Sequence, residues 1–146
     1  MSEIIYVYSG DKNVITVSQF WDSDCTSEAI TVQSTGTFTL GESAGDISDP
    51  KNIDFRLTDQ KVTIHSQDAL DIFGQSESCG HLPFEMDVAQ NILDTGCNGS
   101  SGDMSYNVYK LDTSATPPEL YYASSPSSSE DQRPTDINMD TVFRKQ

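Results

Sequence analysis

The stretch AITVQSTGTFTL, residues 29–40, alternates apolar and polar side chains and decides the predicted fold. Four large apolar side chains share one face of this stretch: Ile30, Val32, Phe38 and Leu40. Successive side chains of a strand point to opposite sides, so the pattern predicts a half-buried β-strand. Two small residues, Ser34 and Gly36, interrupt the apolar face and leave volume that larger side chains would fill.

The same period of two recurs along most of the chain. It predicts strands at 3–9, 13–21, 29–40, 52–57, 61–65, within 82–88, and at 104–111, 119–123 and 139–145. The segments 52–57 and 61–65 are predicted to pair as a hairpin around Thr58–Gln60, with Ile53, Phe55 and Leu57 facing Val62 and Ile64. One segment differs: Ser66 is a helix cap, and an apolar stripe followed by Gly74 predicts a short helix.

About eight short antiparallel strands with one short helix predict an all-β fold, an up-and-down barrel or a curled half-barrel. A two-sheet sandwich is the alternative. The length of 146 residues is typical of one domain, spanning 1–146, in which 124–136 is predicted to be a flexible loop because it holds few apolar residues.

The charge of the chain disfavours two classes of partner. Its 23 acidic and 8 basic residues give a formal net charge of -15, which repels phosphate backbones and anionic lipid headgroups. Nucleic-acid binding is therefore not expected. No run of residues is long and apolar enough to predict a transmembrane segment.

Two cysteines bracket residues 79–97, CGHLPFEMDVAQNILDTGC. A zinc site would need four ligands, and only His81 lies close; a redox pair is usually separated by two residues before a helix. A disulfide between Cys79 and Cys97 is the favoured interpretation, and closing its loop would contribute about 3 kcal/mol. Cys25 is left as a buried free thiol or as the partner of a group outside this chain. A disulfide favours an exported protein, and we expect its export signal to lie outside this sequence.

Three segments carry a resemblance to a known family. They are FWDSDCTSEAITVQSTGTFTLG (20–41), NIDFRLTDQKVTIHSQDALDIFG (52–74) and the CG…GC bracket. Together they resemble the domain of the Wnt-inhibitor family called adenomatosis polyposis coli down-regulated, and RPTD (133–136) resembles the same region of single-domain exported bacterial proteins. The resemblance implies a curled, lipocalin-like sheet whose apolar concavity holds an acyl chain, in a secreted, periplasmic or membrane-anchored lipoprotein that binds rather than catalyses.

Catalytic and metal chemistry find little support in the residue pattern. The two histidines, His65 and His81, have no nucleophile at a recognisable spacing, so no catalytic residue or cofactor is predicted. Four loop aspartates offer oxygen ligands for calcium: Asp22, Asp24, Asp46 and Asp49. Their spacing matches no known calcium loop, and solvated loops are the favoured interpretation.

The apolar rows therefore carry the functional hypothesis. The predicted ligand-binding residues are Ile30, Val32, Ser34, Gly36, Phe38, Leu40, Phe55, Leu57, Val62 and Ile64. They would line either a cavity for a lipid or other apolar small molecule, or a filled core. The second case is typical of a cell-envelope protein-interaction or structural domain without a small-molecule ligand. The sequence feature that favours this second case is a set of tyrosines expected to be exposed near loops: Tyr106, Tyr109, Tyr121 and Tyr122.

Overall fold

A computed structural model describes residues 1–41, 50–74, 82–97 and 99–144. The described part of the chain contains eight strands and one α-helix. In chain order these are β1 (Ser2–Ser9), β2 (Lys12–Phe20), β3 (Glu28–Leu40), β4 (Lys51–Ile64), α1 (Gln67–Gly74), β5 (Gln90–Asn91), β6 (Met104–Asp112), β7 (Glu119–Tyr122) and β8 (Val142–Arg144). A 3-10 turn spans Glu130–Gln132.

The strands belong to one sheet with the order β1-β2-β3-β4-β6-β7-β8, and β5 pairs with β4. Pairing is antiparallel between β1 and β2, β2 and β3, β4 and β6, β6 and β7, and β7 and β8. This confirms the predicted all-β class, an antiparallel half-barrel sheet of about eight strands with one short helix. The sandwich alternative is wrong, because the described strands form one sheet rather than two.

Strand β4 corrects the predicted hairpin. Residues Lys51–Ile64 form one continuous strand of 14 residues, without a turn at Thr58–Gln60. The polar residues that suggested a turn find partners on β3: Thr58 Oγ1 donates to the Thr35 carbonyl at 3.0 Å, and Gln60 Nε2 donates to Ser34 Oγ at 2.9 Å. These bonds satisfy polar groups inside the strand, so the chain has no need to turn there.

Helix α1 begins where the sequence predicts. Ser66 Oγ accepts a hydrogen bond from the Ala69 N–H at 3.3 Å, which is the geometry of an N-cap. The Trp21 Nε1–H donates to the same oxygen at 3.0 Å and links the cap to the end of β2. The buried Ala69 is on the face that packs against the sheet.

The strand predicted within 82–88 is wrong except at one position. Met86 makes a single parallel bridge with Ile64, and the next residue, Asp87, has a φ of 58° that ends extended pairing. The Asp87 N–H donates to the Ile64 carbonyl at 2.8 Å. Pairing resumes only at the two residues of β5.

The chain divides into two compact units. The first comprises Met1–Thr37 and Leu57–Asp103. Its core consists of six buried residues, Ala29, Ile30, Val62, Ile64, Ala69 and Ile92, and six partly buried residues pack against them: Val32, Leu70, Phe73, Leu82, Phe84 and Cys97. The rings of Phe73 and Phe84 meet edge to face with centroids 5.6 Å apart.

The second unit comprises Phe38–Arg56 and Met104–Gln146. Its buried apolar residues are Ile53, Val108, Tyr121, Tyr122 and Ala123. The predicted 124–136 loop is attached to this unit by Arg133, whose Nη1 donates to the Asn107 carbonyl at 3.0 Å and pairs with Asp54. The guanidinium carbon lies 5.2 Å from the centroid of the Tyr106 ring, a cation–π geometry.

No helix in the described part of the chain is long and apolar enough to cross a bilayer.

Candidate functional site

Strands β1, β2 and β3 place three rows of side chains side by side on one face of the first unit. The pairing register aligns Ile4, Val17 and Val32 in the first row. The second row contains Tyr6, Ile15 and Ser34, and the third contains Tyr8, Asn13 and Gly36. Directly opposite side chains on neighbouring strands have Cβ atoms about 5 Å apart, so each row is a line of contacts. We call these nine residues the β1–β3 face.

The β1–β3 face is open at its first strand and closed at its polar end. Ile4 is 45% exposed, whereas Ile15, Val17 and Val32 are half-buried. Burial raises the pKa of Tyr6, so its ring lies partly out of water as well. Gly36 is buried, and Asn13 directly opposite it is only 4% exposed. An amphipathic molecule would find apolar contacts along the first two rows and polar groups at the third.

Three polar side chains meet at this closed end: Asn13, Ser34 and Gln60. Asn13 lies diagonally across from Ser34 on the same face, since Asn13 pairs with Gly36 and Ile15 pairs with Ser34. Gln60 reaches Ser34 from the other side through its 2.9 Å hydrogen bond. Gln60 itself is 7% exposed.

Two of these side chains are unsatisfied. Asn13 Oδ1 and Gln60 Oε1 are buried and accept no hydrogen bond from the described residues. An amide group buried without its hydrogen bond costs about 1–3 kcal/mol in proteins. Buried polar groups in folded proteins nearly always have a partner, so two unsatisfied oxygens on either side of Ser34 call for one, such as a bound water or a ligand group.

The predicted ligand-binding residues separate into several environments. Ile30, Val62 and Ile64 belong to the packed core of the first unit, with Val32 against them. Ser34 and Gly36 do interrupt the apolar row, but the space beside them holds the polar groups of Asn13 and Gln60.

The remaining predicted residues lie elsewhere. In the second unit, Leu40 is 54% exposed and Phe55 contacts the Tyr122 ring with centroids 6.4 Å apart. Phe38, also in the second unit, is half-buried. Leu57 lies against Gly99, where an added Cβ would stand 2.8 Å from Leu57 Cδ2. The structure therefore brings only Val32, Ser34 and Gly36 of the predicted set onto the β1–β3 face.

Sequence reasoning missed the other residues of this site. In the sequence, Asn13 is the first residue of the strand predicted at 13–21, and Gln60 falls in the predicted turn of the hairpin. In β2, Asn13, Ile15 and Val17 alternate with Val14 and Thr16. This period of two predicts that Asn13 lies on the same face as Ile15 and Val17. For Gln60 the signal is its spacing from Val62 and Ile64, which would have placed it on the buried face of a continuous strand.

A second polar cluster links His65 to two carboxylates. His65 Nδ1 lies 2.9 Å from Asp87 Oδ1, and His65 Nε2 lies 3.1 Å from Thr31 Oγ1. Thr31 Oγ1 in turn donates to Glu28 Oε1 at 2.6 Å. Hydrogen bonds from the Ser18 and Thr31 hydroxyls, with the nearby imidazole, lower the pKa of Glu28.

The order hydroxyl, imidazole and carboxylate is also that of nucleophilic hydrolases. In that chemistry the hydroxyl proton must pass to the imidazole, whereas the Thr31 proton is directed at Glu28. The cluster instead connects the segment that carries Asp87 to strand β3. We assign it a structural role. His81 lies outside the described residues.

The loop aspartates weighed as calcium ligands accept local hydrogen bonds where they are described. Asp22 accepts hydrogen bonds from the N–H and the hydroxyl of Thr26, at 3.0 and 2.5 Å, which closes a local turn. Asp24 accepts one from Ser23 at 3.3 Å. Asp46 and Asp49 lie outside the described residues. Among the described side chains, no group of three or more potential metal ligands is assembled.

Two further expectations need correction. Tyr121 and Tyr122 are buried, and Tyr106 packs beneath Arg133, so the tyrosines expected to be exposed do not form an exposed contact surface. Cys25 carries a free thiol that is exposed rather than buried. Cys97 is half-buried and packs against the core of the first unit. Its predicted partner, Cys79, lies outside the described residues.

Comparison with protein-family models finds no family that matches this chain, and no curated protein matches it. The fold and the site define only a class: an antiparallel β-sheet protein whose first unit presents a half-open apolar face with buried amide groups at one end.

Proposed function

We propose that this protein is a non-catalytic, exported binding module that holds an amphipathic small molecule on the β1–β3 face. The proposal depends on one observation: a half-open apolar surface ends at two buried, unsatisfied amide groups. Small-molecule sites combine mostly apolar walls with a few placed polar groups, and the β1–β3 face has that composition. The resemblance to acyl-chain-binding domains supports the same class of ligand.

The packed core limits where this ligand lies. Ile30, Val62 and Ile64 are in contact with helix α1 residues, so an acyl chain would have to lie nearer β1 and β2 than the sequence predicts. Ile4, Ile15 and Val17 are the half-buried or exposed apolar residues available there. Covering them would remove apolar surface from water, at about 25 cal/mol per Å².

Two adjacent isoleucines of β1 provide a matched test. Ile4 is 45% exposed on the β1–β3 face, and Ile5 is 43% exposed on the opposite face. Both positions tolerate a polar side chain, since neither is buried. Binding of the uncharged dye Nile red would be measured by its fluorescence enhancement, using purified protein from which bound lipid has been extracted.

We expect Ile4→Lys to weaken dye binding about tenfold, because a charge replaces apolar contact at the site. Ile5→Lys should bind like the unchanged protein. The proposal is wrong if the unchanged protein binds no dye at micromolar concentration, or if both variants weaken binding equally. Native mass spectrometry of freshly purified protein would show any ligand retained from the cell.

A further inference from the structure

We propose that the ligand held on the β1–β3 face carries a neutral, hydroxyl-bearing head group, which donates hydrogen bonds to Asn13 and Gln60. This inference rests on the proposed function and specifies the chemistry of its ligand. It follows from three features of the closed end of the site: the atoms that lack partners, the uncharged side chains that meet there, and their positions around Ser34.

The unsatisfied atoms are both acceptors. An amide oxygen accepts hydrogen bonds and donates none, so Asn13 Oδ1 and Gln60 Oε1 require donors. Gln60 already uses its amide N–H on Ser34 Oγ, which fixes the side chain while its buried oxygen is left without a donor. A hydroxyl group supplies a donor to such an oxygen. An ester or an ionised carboxylate supplies only further acceptors.

The charge of the head group decides between a hydroxyl group and an ammonium ion as the hydrogen-bond donor. Asn13, Ser34 and Gln60 are uncharged, and the Asp103 carboxylate beside Gly99 is exposed and accepts a hydrogen bond from the Ser100 N–H at 2.7 Å. A buried ammonium ion would need a buried carboxylate partner to offset its loss of hydration. A fatty acid is ionised at neutral pH, and its carboxylate would face two amide oxygens. The net charge of -15 disfavours an anionic ligand further. A neutral hydroxyl group avoids both penalties.

The geometry suits a head group with more than one hydroxyl. Asn13 is the diagonal neighbour of Ser34 and Gln60 is its hydrogen-bond donor, so the two side chains with unsatisfied oxygens flank one serine. Gly99 borders Gln60, where an added Cβ would lie 3.4 Å from Gln60 Oε1. A glycerol head group carries two free hydroxyls on adjacent carbons, one for each of these two side chains.

Three ligands with the same lauroyl chain test the inference: monolauroylglycerol, methyl laurate and lauric acid. Each would compete with bound Nile red at pH 8, below its aggregation concentration. We expect monolauroylglycerol to compete about tenfold more strongly than the other two, since only it donates hydrogen bonds. Equal competition, or stronger competition by lauric acid, would overturn the inference while leaving the proposed function intact, because the dye would still bind.

Asn13→Leu is the matched variant, since leucine has nearly the same shape but no acceptor. We expect it to lose most of the preference for monolauroylglycerol over methyl laurate, with both ligands compared in the same variant, and to unfold at the same temperature or higher, because an unsatisfied buried amide is removed. Gln60→Met provides a second variant if the first folds poorly. An unchanged preference in a folded variant would contradict the assignment of that side chain.

Discussion

The carboxylate of Asp22 illustrates how local hydrogen bonds set the chemistry of one residue. It accepts hydrogen bonds from the hydroxyl and the backbone N–H of Thr26, and these bonds lower the pKa of Asp22 to about 2. The sequence offered this aspartate as an oxygen ligand for calcium, but both of its oxygens have a partner four residues along the chain.

We expect Thr26→Val to raise the pKa of Asp22 towards its ordinary value, because the strongest of these hydrogen bonds is lost. Since the pKa is depressed in the folded protein, the ionised carboxylate stabilises the fold above the unfolded pKa, and this contribution is lost as the pH falls through about 2. Thr26→Ser retains the hydroxyl and serves as the control. Titration of the side-chain carboxyl carbon by NMR would report both values, and an equal pKa in the two variants would contradict this account.

At the scale of single residues, sequence patterns identified the apolar positions better than the polar ones. Ile30, Val62 and Ile64 are buried as their alternation predicts. Asn13 and Gln60 are buried too, against the usual preference of their residue types. The period of two places each amide on an apolar face, but it does not show that the amide is buried, because burial depends on partners such as Ser34 that are distant in sequence.

At the scale of elements, strand β4 shows where local reasoning failed and why. Thr58, Asp59 and Gln60 have turn propensity, but the adjacent strand offers acceptors for the side chains of Thr58 and Gln60. Tertiary hydrogen bonds therefore override local preference. Helix α1 was predictable because its cap, Ser66, acts on a backbone N–H only three residues away.

Strand β4 places Ile64, one of the residues predicted to line a ligand cavity, in the packed core, and this leads to a prediction about stability. Ile64 is 1% exposed in the core of the first unit. We expect Ile64→Ala to lower the free energy of unfolding by about 2–5 kcal/mol, because the truncation leaves a cavity among packed side chains. Leu40→Ala, at a position 54% exposed, should change the same free energy by less than about 0.5 kcal/mol.

Urea denaturation of the two variants and the unchanged protein would measure both effects. A small loss for Ile64→Ala would mean that the core of the first unit is loosely filled and has room for a ligand. That result would restore the position that the sequence predicts for the ligand, between β3 and β4.

At the scale of the whole molecule, the net charge favours the same kind of ligand that we propose for the β1–β3 face. An excess of 15 negative charges, from 23 acidic and 8 basic residues, keeps anions at a distance over the entire surface. In the proposed site, Asn13 on the β1–β3 face and Gln60 beside it would disfavour an acceptor-only head group at short range, because both present unsatisfied amide oxygens. Global electrostatics and local hydrogen bonding therefore both favour a neutral ligand.

The proposal that the protein is exported depends on the state of its three cysteines. Cys25 is an exposed free thiol, and Cys97 packs against the core of the first unit, so we expect the predicted disulfide to join Cys97 to Cys79. Thiol titration of denatured, unreduced protein should then count one free thiol, and Cys25→Ser should count none. Reduction should lower the free energy of unfolding of Cys25→Ser by about 3 kcal/mol, since it releases a closed loop. Three free thiols in the unreduced protein would remove the main support for export, because thiols that stay reduced are typical of the cytosol.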